Sequence, residues 1–351
     1  MNKGLMDNLK KEDLCIKKIL FDIAEALEKI NIKDNSIYSK TKIMKLVCII
    51  ADKLDIPITR SWYLYGEYIY MTDLTLNFFN LLKEFHEDIN GYRLKINEYL
   101  SELDFELRRK LNLTSKLIHE YISGRKYFYD KEYLLNFYIL NAPLKYKELY
   151  LNVYFFRKEL EDFFEEITKV NFDYIKEYSD SFKSDEVKFD EKLITKKNVK
   201  KNFNDIISKV DYELNNVHLE ADISEQLSEF LFLFEGLLIK LNNYYANDLK
   251  IENKNIIILK KFMSKFDDDF FSIVASKISS ETAVGLRANE AKQHYLEKFS
   301  RISKILPSKI NEAREELKKS KLELSHEEAL IDLKSEDEKL RKIYDKILTY
   351  A

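Results

Sequence analysis

A chain of 351 residues, 45% apolar and 34% charged, holds enough apolar matter for more than one core and enough charge for a fully wetted exterior. With 58 basic against 61 acidic side chains its formal charge is −3, so nucleic acid is not attracted by net charge and any such binding needs a local patch. Three prolines and six glycines are too few for the frequent turns of a sheet protein, which assigns the chain to the mainly α class.

The opening segment MNKGLMDNLKKED is polar throughout, unlike a secretion signal. No apolar run reaches the roughly 18 residues of a membrane span, so the expected location is the cytoplasm. Helices are predicted over about 7–31 and 39–54 from the apolar period. Cys15 and Cys48 lie in the apolar contexts LCIKKIL and LVCII, without zinc-site spacing or a disulfide framework, and read as small buried hydrophobes. Leu46, Val47, Ile49, Ile50 and Leu54 share one helix face. Trp62 and Tyr65 are placed to cap that face, with Trp62 otherwise a simple core anchor.

Residues 39–70 combine Lys45-Leu46 in a short amphipathic helix, a Pro57-Ile58 turn, and the aromatic run Trp62-Tyr63-x-Tyr65-Gly66. This stretch resembles the opening of Panacea or SocA-like prokaryotic domains, with Glu67 standing where that family usually has proline. The resemblance implies a compact, helical, winged-helix-like module that binds protein or DNA in antitoxin, proteolytic-adaptor or defence settings, and it implies no catalytic residues.

A further helix is expected over about 72–87 and several more between 98 and 178. Tyr127 to Phe156 is crowded with aromatics among Lys126, Lys131, Lys145 and Lys147, a composition that suits stacking of single-stranded bases. Asp130, Glu132 and Glu148 offset those lysines, which favours a helical core broken at Pro143. Glu159 to Glu191 holds twelve acids against four lysines, and the basic KLITKKNVKKN follows. That switch, with Ser179, Ser181 and Ser184, marks a linker or exposed loop. Within it, Glu186-Val187-Lys188 with Asp173 upstream has the spacing of a metal-dependent nuclease, whose chemistry requires a buried strand where this sequence is polar.

The clearest helix begins with Asp222 and Glu225 as a capping box. It places Ile223, Leu227, Phe230, Leu231, Phe234, Leu237, Leu238 and Leu241 on one face, while Phe232, Leu233 and Ile239 widen the arc toward burial on most sides. Its neighbour, about 255–279, is also strongly apolar. Asp267, Asp268 and Asp269 diverge by about 100° each on a helix and are expected to form a solvated acidic turn rather than a Mg²⁺ site. After Ala275 the chain turns to small residues, with Ser279, Ala283 and Gly285 permitting close helix approach. Arg287, Glu290, Ala291, His294 and Lys298 then form one stripe that Arg301 continues. Such a stripe can recognise an anion or serve acid–base chemistry. It equally suits a tight helix crossing with a salt-bridged edge. Beyond Pro307, Ile310, Leu317 and Leu324, then Leu333, Leu340 and Ile347, recur at sevenfold spacing, with Ser325 and Glu328 as a capping box. This predicts a narrow-seam helical hairpin that packs on the body or pairs with a partner.

No glycines lie close enough together to cradle a phosphate, no nucleophile elbow occurs, and the five histidines are scattered. No catalytic residue, metal or cofactor is therefore expected. The expected organisation is an N-terminal winged-helix-like module (1–97), an aromatic-rich helical region (98–190), a central helical body (200–307) and a C-terminal arm (308–351). The expected function is a non-enzymatic adaptor or regulatory subunit of a prokaryotic assembly, with a protein partner, oligomerisation through 308–351, and no membrane. The alternatives are a single-stranded nucleic-acid-binding protein and a metal-dependent nuclease. Candidate binding residues are Arg287, Glu290, His294, Lys298, Trp62 and Tyr65.

Overall fold

A computed structural model describes residues 3–30, 40–70, 78–124, 132–181, 203–246 and 251–322. The chain divides into two units that interleave in sequence: Met1–Leu151 with Phe271–Lys304, and Asn152–Phe270 with Ile305–Ala351. Helix dominates both, as the scarcity of turn residues requires, and a single antiparallel pair is the only sheet among the described residues.

In the first unit, α1 (Lys3–Ile30) buries Cys15, Ile16, Ile19, Leu20, Ile23 and Leu27 at helical spacing. Helix α2 (Lys40–Lys53) buries Leu46, Val47, Cys48, Ile49 and Ile50, and it ends at Asp55, whose φ of 49° turns the chain left-handed. The Ile56 amide reaches back to the Ala51 carbonyl at 2.8 Å, which satisfies an orphan group of the last turn. Pro57 then prevents resumption of the helix, and the aromatic run becomes a hairpin of β1 (Arg60–Tyr63) and β2 (Gly66–Ile69). Helices α3 (Phe78–Glu87), α4 (Ile89–Ser101), α5 (Phe105–Asn112) and α6 (Thr114–Gly124) follow, and α1 packs against all four. Asp88 and Asp104 cap α4 and α5 by accepting from the amides of Gly91 and Leu107. Helix α7 (Tyr133–Asn141), a 3₁₀ turn (Leu144–Tyr146) and the start of α8 (Lys147–Ser181) complete the N-terminal part of the unit.

The second unit is built on phenylalanine. Helix α9 (Phe203–Asn215), α10 (Ala221–Ala246) and α11 (Asn253–Lys265) join the later part of α8 and the last turns of α13. Phe156 meets Phe266 at 5.0 Å and Phe234 at 5.6 Å, Phe234 meets Phe262 at 5.6 Å, and Phe163 meets Phe203 at 5.3 Å, all edge-on or tilted. All eight residues of the predicted α10 face are buried. Phe232, expected to widen that arc, is instead 63% exposed, and α10 begins one residue before Asp222, so Asp222 sits in the first turn rather than at the cap.

The apolar stretch after residue 253 is interrupted by a π-helical turn (Phe266–Phe271) before α12 (Ser272–Thr282). The wider turn carries the three aspartates, and they are not merely solvated. Arg157 donates to Asp267 from Nε at 2.8 Å and Nη2 at 2.6 Å, and Lys309 faces Asp269 at 4.0 Å. Helix α13 (Ala288–Ser320) continues through Pro307, which has no amide to give the Ser303 carbonyl. The seam residues Ile310 and Leu317 are buried, while the remainder of the predicted hairpin, 323–351, lies outside the described residues. Of the linker expected near 178–200, Ser179 and Ser181 belong to the last turn of α8, and Ser184 and Glu186 lie outside the described residues. No described helix is long and apolar enough to cross a membrane.

Phe234 is fully buried among four other rings, whereas Phe232 on the same helix faces water. Phe234→Ala is expected to cost about 3–5 kcal/mol in urea denaturation. Phe232→Ala should stay within about 0.5 kcal/mol of the parent. Equal losses would mean that the face is misassigned.

Candidate interaction site

The hairpin is the point where distant parts of the first unit meet. Its turn is Leu64-Tyr65, closed by Gly66 at φ +94°, a left-handed backbone that disfavours any side chain. A Cβ on Gly66 would stand 3.0 Å from Tyr138 Cε1 and 3.1 Å from both Lys45 Nζ and Phe137 Cε1, so space as well as backbone demands glycine. The outer edge of β1 is covered by the connection between α12 and α13. Arg60 and Val284 exchange both backbone hydrogen bonds, at 3.1 and 3.0 Å. The Trp62 amide donates to Thr282 Oγ1 at 3.0 Å, and Ser279 Oγ donates to the Trp62 carbonyl at 2.6 Å. Gly285, at φ +107°, lets this segment lie against Ile58 and Thr59, since a Cβ there would come within 2.5 Å of the Ile58 oxygen. The small residues after Ala275 thus serve the approach of a helix end to a strand, where sequence suggested two helices crossing.

Buried charge accompanies the backbone contacts. Glu12 on α1 is fully buried, and its carboxylate accepts from Thr59 Oγ1 and, at 3.0 Å, from Arg287 Nε. The Arg287 amide donates to Thr59 Oγ1 at 2.8 Å, its guanidinium lies 5.0 Å from the Tyr70 ring centre, and Glu290 is 3.5 Å away. Burial pushes the Glu12 carboxyl up, against the pull of Thr59 and Arg287. On the other side of the hairpin Arg60 pairs with Glu67 at 2.9 Å and Asp52 at 2.7 Å. Lys45 is buried completely, donates to the Glu67 carbonyl at 2.7 Å, and lies 3.9 Å from the Tyr68 ring centre and 4.9 Å from that of Phe137. Burial lowers it to about 7, partly opposed by the nearby Glu67 carboxylate. Burial likewise pushes the Glu67 carboxyl up.

An aromatic box closes the inner face. Trp62 stacks on Phe137 at 5.5 Å and meets Tyr150 edge-on at 5.2 Å, while the Tyr150 hydroxyl donates to the Tyr63 carbonyl at 2.9 Å. Phe137 and Tyr138 bury one side of α7. Its other side turns Ile139 and Leu140 outward, and Leu144 in the following turn is 91% exposed. Lys145 and Tyr146 both bond Glu281 at the end of α12, which fixes that turn in place.

The sequence candidates are therefore distributed. Trp62 is core, and Tyr65 lies at the hairpin turn, 36% exposed. Arg287 and Glu290 belong to the buried charge cluster. His294 is exposed with its ring against Tyr70 and Tyr295, and Lys298 donates to the Tyr63 hydroxyl. Sequence reasoning passed over Glu12, Thr59 and the exposed side of α7. Glu12 sits in the polar string KKED, which reads as solvated, but nine contiguous residues of α7 hold only one polar side chain, Asn136, before Asn141, and that was a signal. Among the described residues no group of histidine, cysteine and carboxylate side chains is arranged to hold a metal.

Arg287→Ala leaves the buried Glu12 carboxyl without its cationic partner, and is expected to lower stability by about 3 kcal/mol in denaturant. Gly66→Ala should cost about 1–3 kcal/mol for its backbone conformation alone. For Lys45 the folded value of about 7 lies below the ordinary 10.5, so the unfolded chain binds that proton more tightly. Its contribution then grows as pH rises above 7 and is lost as pH falls through 7, at up to about 1.4 kcal/mol per pH unit. Measured between pH 7 and about 7.8, below the ordinary thiol range, the stability of Lys45→Met should lack the rise that the parent shows. Parallel curves would refute this.

No curated protein and no solved structure matches the chain. One protein family does, described as a domain of unknown function, DUF8098, over residues 6–77 and 83–349. These two segments span most of both units and include the hairpin, α7 and α13, so the chain belongs to the DUF8098 family.

Proposed function

We propose that this chain is a binding protein, an adaptor or regulatory subunit that docks a second protein through α7 and the turn that follows it. The two-sided apolarity of α7 carries this reading. Its sequence YLLNFYILN is apolar all round, which ordinarily accompanies burial on every side. Here Phe137 and Tyr138 are locked into the Trp62 box while Ile139, Leu140 at 61% and Leu144 at 91% are left to water. An apolar surface held by a rigid support costs little ordering on association, and a protein partner is what such a surface suits.

The likeness of residues 39–70 to Panacea and SocA-like domains points the same way, since those modules act by binding protein or DNA in antitoxin, proteolytic-adaptor or defence settings. Lys45, Gly66 and Trp62, three residues of that likeness, meet at the support beneath α7. Protein is favoured over single-stranded nucleic acid because Tyr133, Phe137, Tyr138, Tyr146 and Tyr150 spend their rings on the core. The nuclease alternative rests on Glu186 and Lys188, outside the described residues.

Co-expression with the products of adjacent genes, followed by size-exclusion chromatography with light scattering, tests the proposal. A complex should form, and Leu140→Glu with Leu144→Glu should weaken it by about 30-fold or more, as for loss of a central apolar anchor, at an unchanged melting temperature. A complex indifferent to that double substitution would remove α7 as the docking face. Turnover of nucleic acid or nucleoside triphosphate by the isolated chain with Mg²⁺ or Mn²⁺ would replace the adaptor by an enzyme.

A further inference from the structure

The stripe along α13 is not one site. Arg287, just before the helix, is closed by Glu12 and Thr59 and holds Glu290 of the first turn, whereas three turns further on, the same face carries Lys298 and Arg301. Lys298 is half-buried, donates from Nζ to the Tyr63 hydroxyl, and lies 4.4 Å from that ring's centre. Tyr63 is itself braced at 5.5 Å against the buried Tyr295. Arg301, three residues further, is exposed, and His294, one turn earlier, presents its imidazole on the same face.

Among the described residues neither Lys298 nor Arg301 has a carboxylate at ion-pair distance. The acids of this helix are engaged elsewhere, Glu290 with Arg287 and Glu297 with Gln293 at 2.9 Å. Burial and the Arg301 charge both push the Lys298 amine down, and no carboxylate restores it. A half-buried ammonium beside a second cation, with N–H groups to spare, is a costly arrangement that an anion from outside relieves.

We propose that Lys298 and Arg301, with Tyr63 positioning the lysine, form a binding site for a single phosphate group, either inorganic phosphate or a small phosphomonoester. The chemistry favours phosphate because a guanidinium fork and an ammonium together match the charge and the several acceptor oxygens of a tetrahedral dianion. A nucleic-acid backbone fits less well. It needs a row of cations along its closely spaced charges, and Glu290 and Glu297 interrupt α13 with negative charge. This site is separate from the docking face on α7 and does not depend on it.

Calorimetric titration of the full chain with inorganic phosphate, and in parallel with adenosine monophosphate, at ionic strength held constant with sodium chloride, reads the site directly. Both anions should bind the parent. Equal affinities would assign the site to free phosphate, and tighter adenosine monophosphate would assign it to a phosphomonoester. Lys298→Met and Arg301→Gln should each weaken binding by about tenfold, the loss of one charge-assisted hydrogen bond. Arg301 is exposed, so its variant keeps the test valid if the lysine variant folds poorly, and Lys298→Met should melt in chloride no lower than the parent. Absence of heat with both anions, or binding unchanged in both variants, would overturn the proposal. So would salt-sensitive binding of a single-stranded oligonucleotide without binding of either small anion.

Discussion

A buried carboxylate on the first helix dictates much of how the first unit closes. Glu12 lies in the interior, where a lone negative charge is far more costly than at the surface, so it must be met by donors. Arg287 supplies one from a position 275 residues away in sequence, and Thr59 another. Bringing Arg287 to Glu12 forces the connection between α12 and α13 across Ile58 and Thr59. That crossing requires a backbone without a side chain at Gly285, and once there the segment takes up the free edge of β1 through Val284. The hairpin, too short to be stable alone, is thereby held along the outer edge of β1.

From that fixed hairpin the rest of the support follows. Gly66 turns the chain so that Glu67 offers its carbonyl to Lys45 and its carboxylate to Arg60. A residue without a carboxylate at position 67 would leave Arg60 without that partner. Trp62, directly opposite Glu67 in the register and so on the same face, packs onto Phe137 and Tyr150, and one four-residue strand orders both the charged and the aromatic groups. The exposed side of α7 is rigid because its hidden side is anchored in this box.

Regular burial was legible in the sequence, and long-range pairing was not. The α10 face could be read because eight apolar residues recur at helical spacing, and burial of Cys15 and Cys48 followed from their apolar neighbours. Phe232 shows the limit, since hydrophobicity does not say which side of a helix lacks a neighbour. Glu12 reads as a solvated acid because its partners are remote. Asp267 reads as one of three free acids because Arg157 lies 110 residues earlier. Pro307 reads as a boundary, yet the helix passes through it, because one missing backbone bond is small beside the burial of Leu306, Ile310 and Ala313 around it.

The polar stripe of α13 joins these strands of reasoning. Equal spacing on a helix guarantees a shared face but says nothing of depth, and depth decides chemistry. Where α13 leaves the edge of β1, Arg287 is covered and its charge is spent on holding α1. Three turns later Lys298 is half-buried against the Tyr63 ring, and among the described residues no carboxylate lies at ion-pair distance from it. The first half of the stripe therefore behaves as a structural clamp and the second as an open, electropositive face. Because one rigid helix carries both, any anion that settles on Lys298 and Arg301 bears on the same element that secures Glu12, and through it on the hairpin that supports α7.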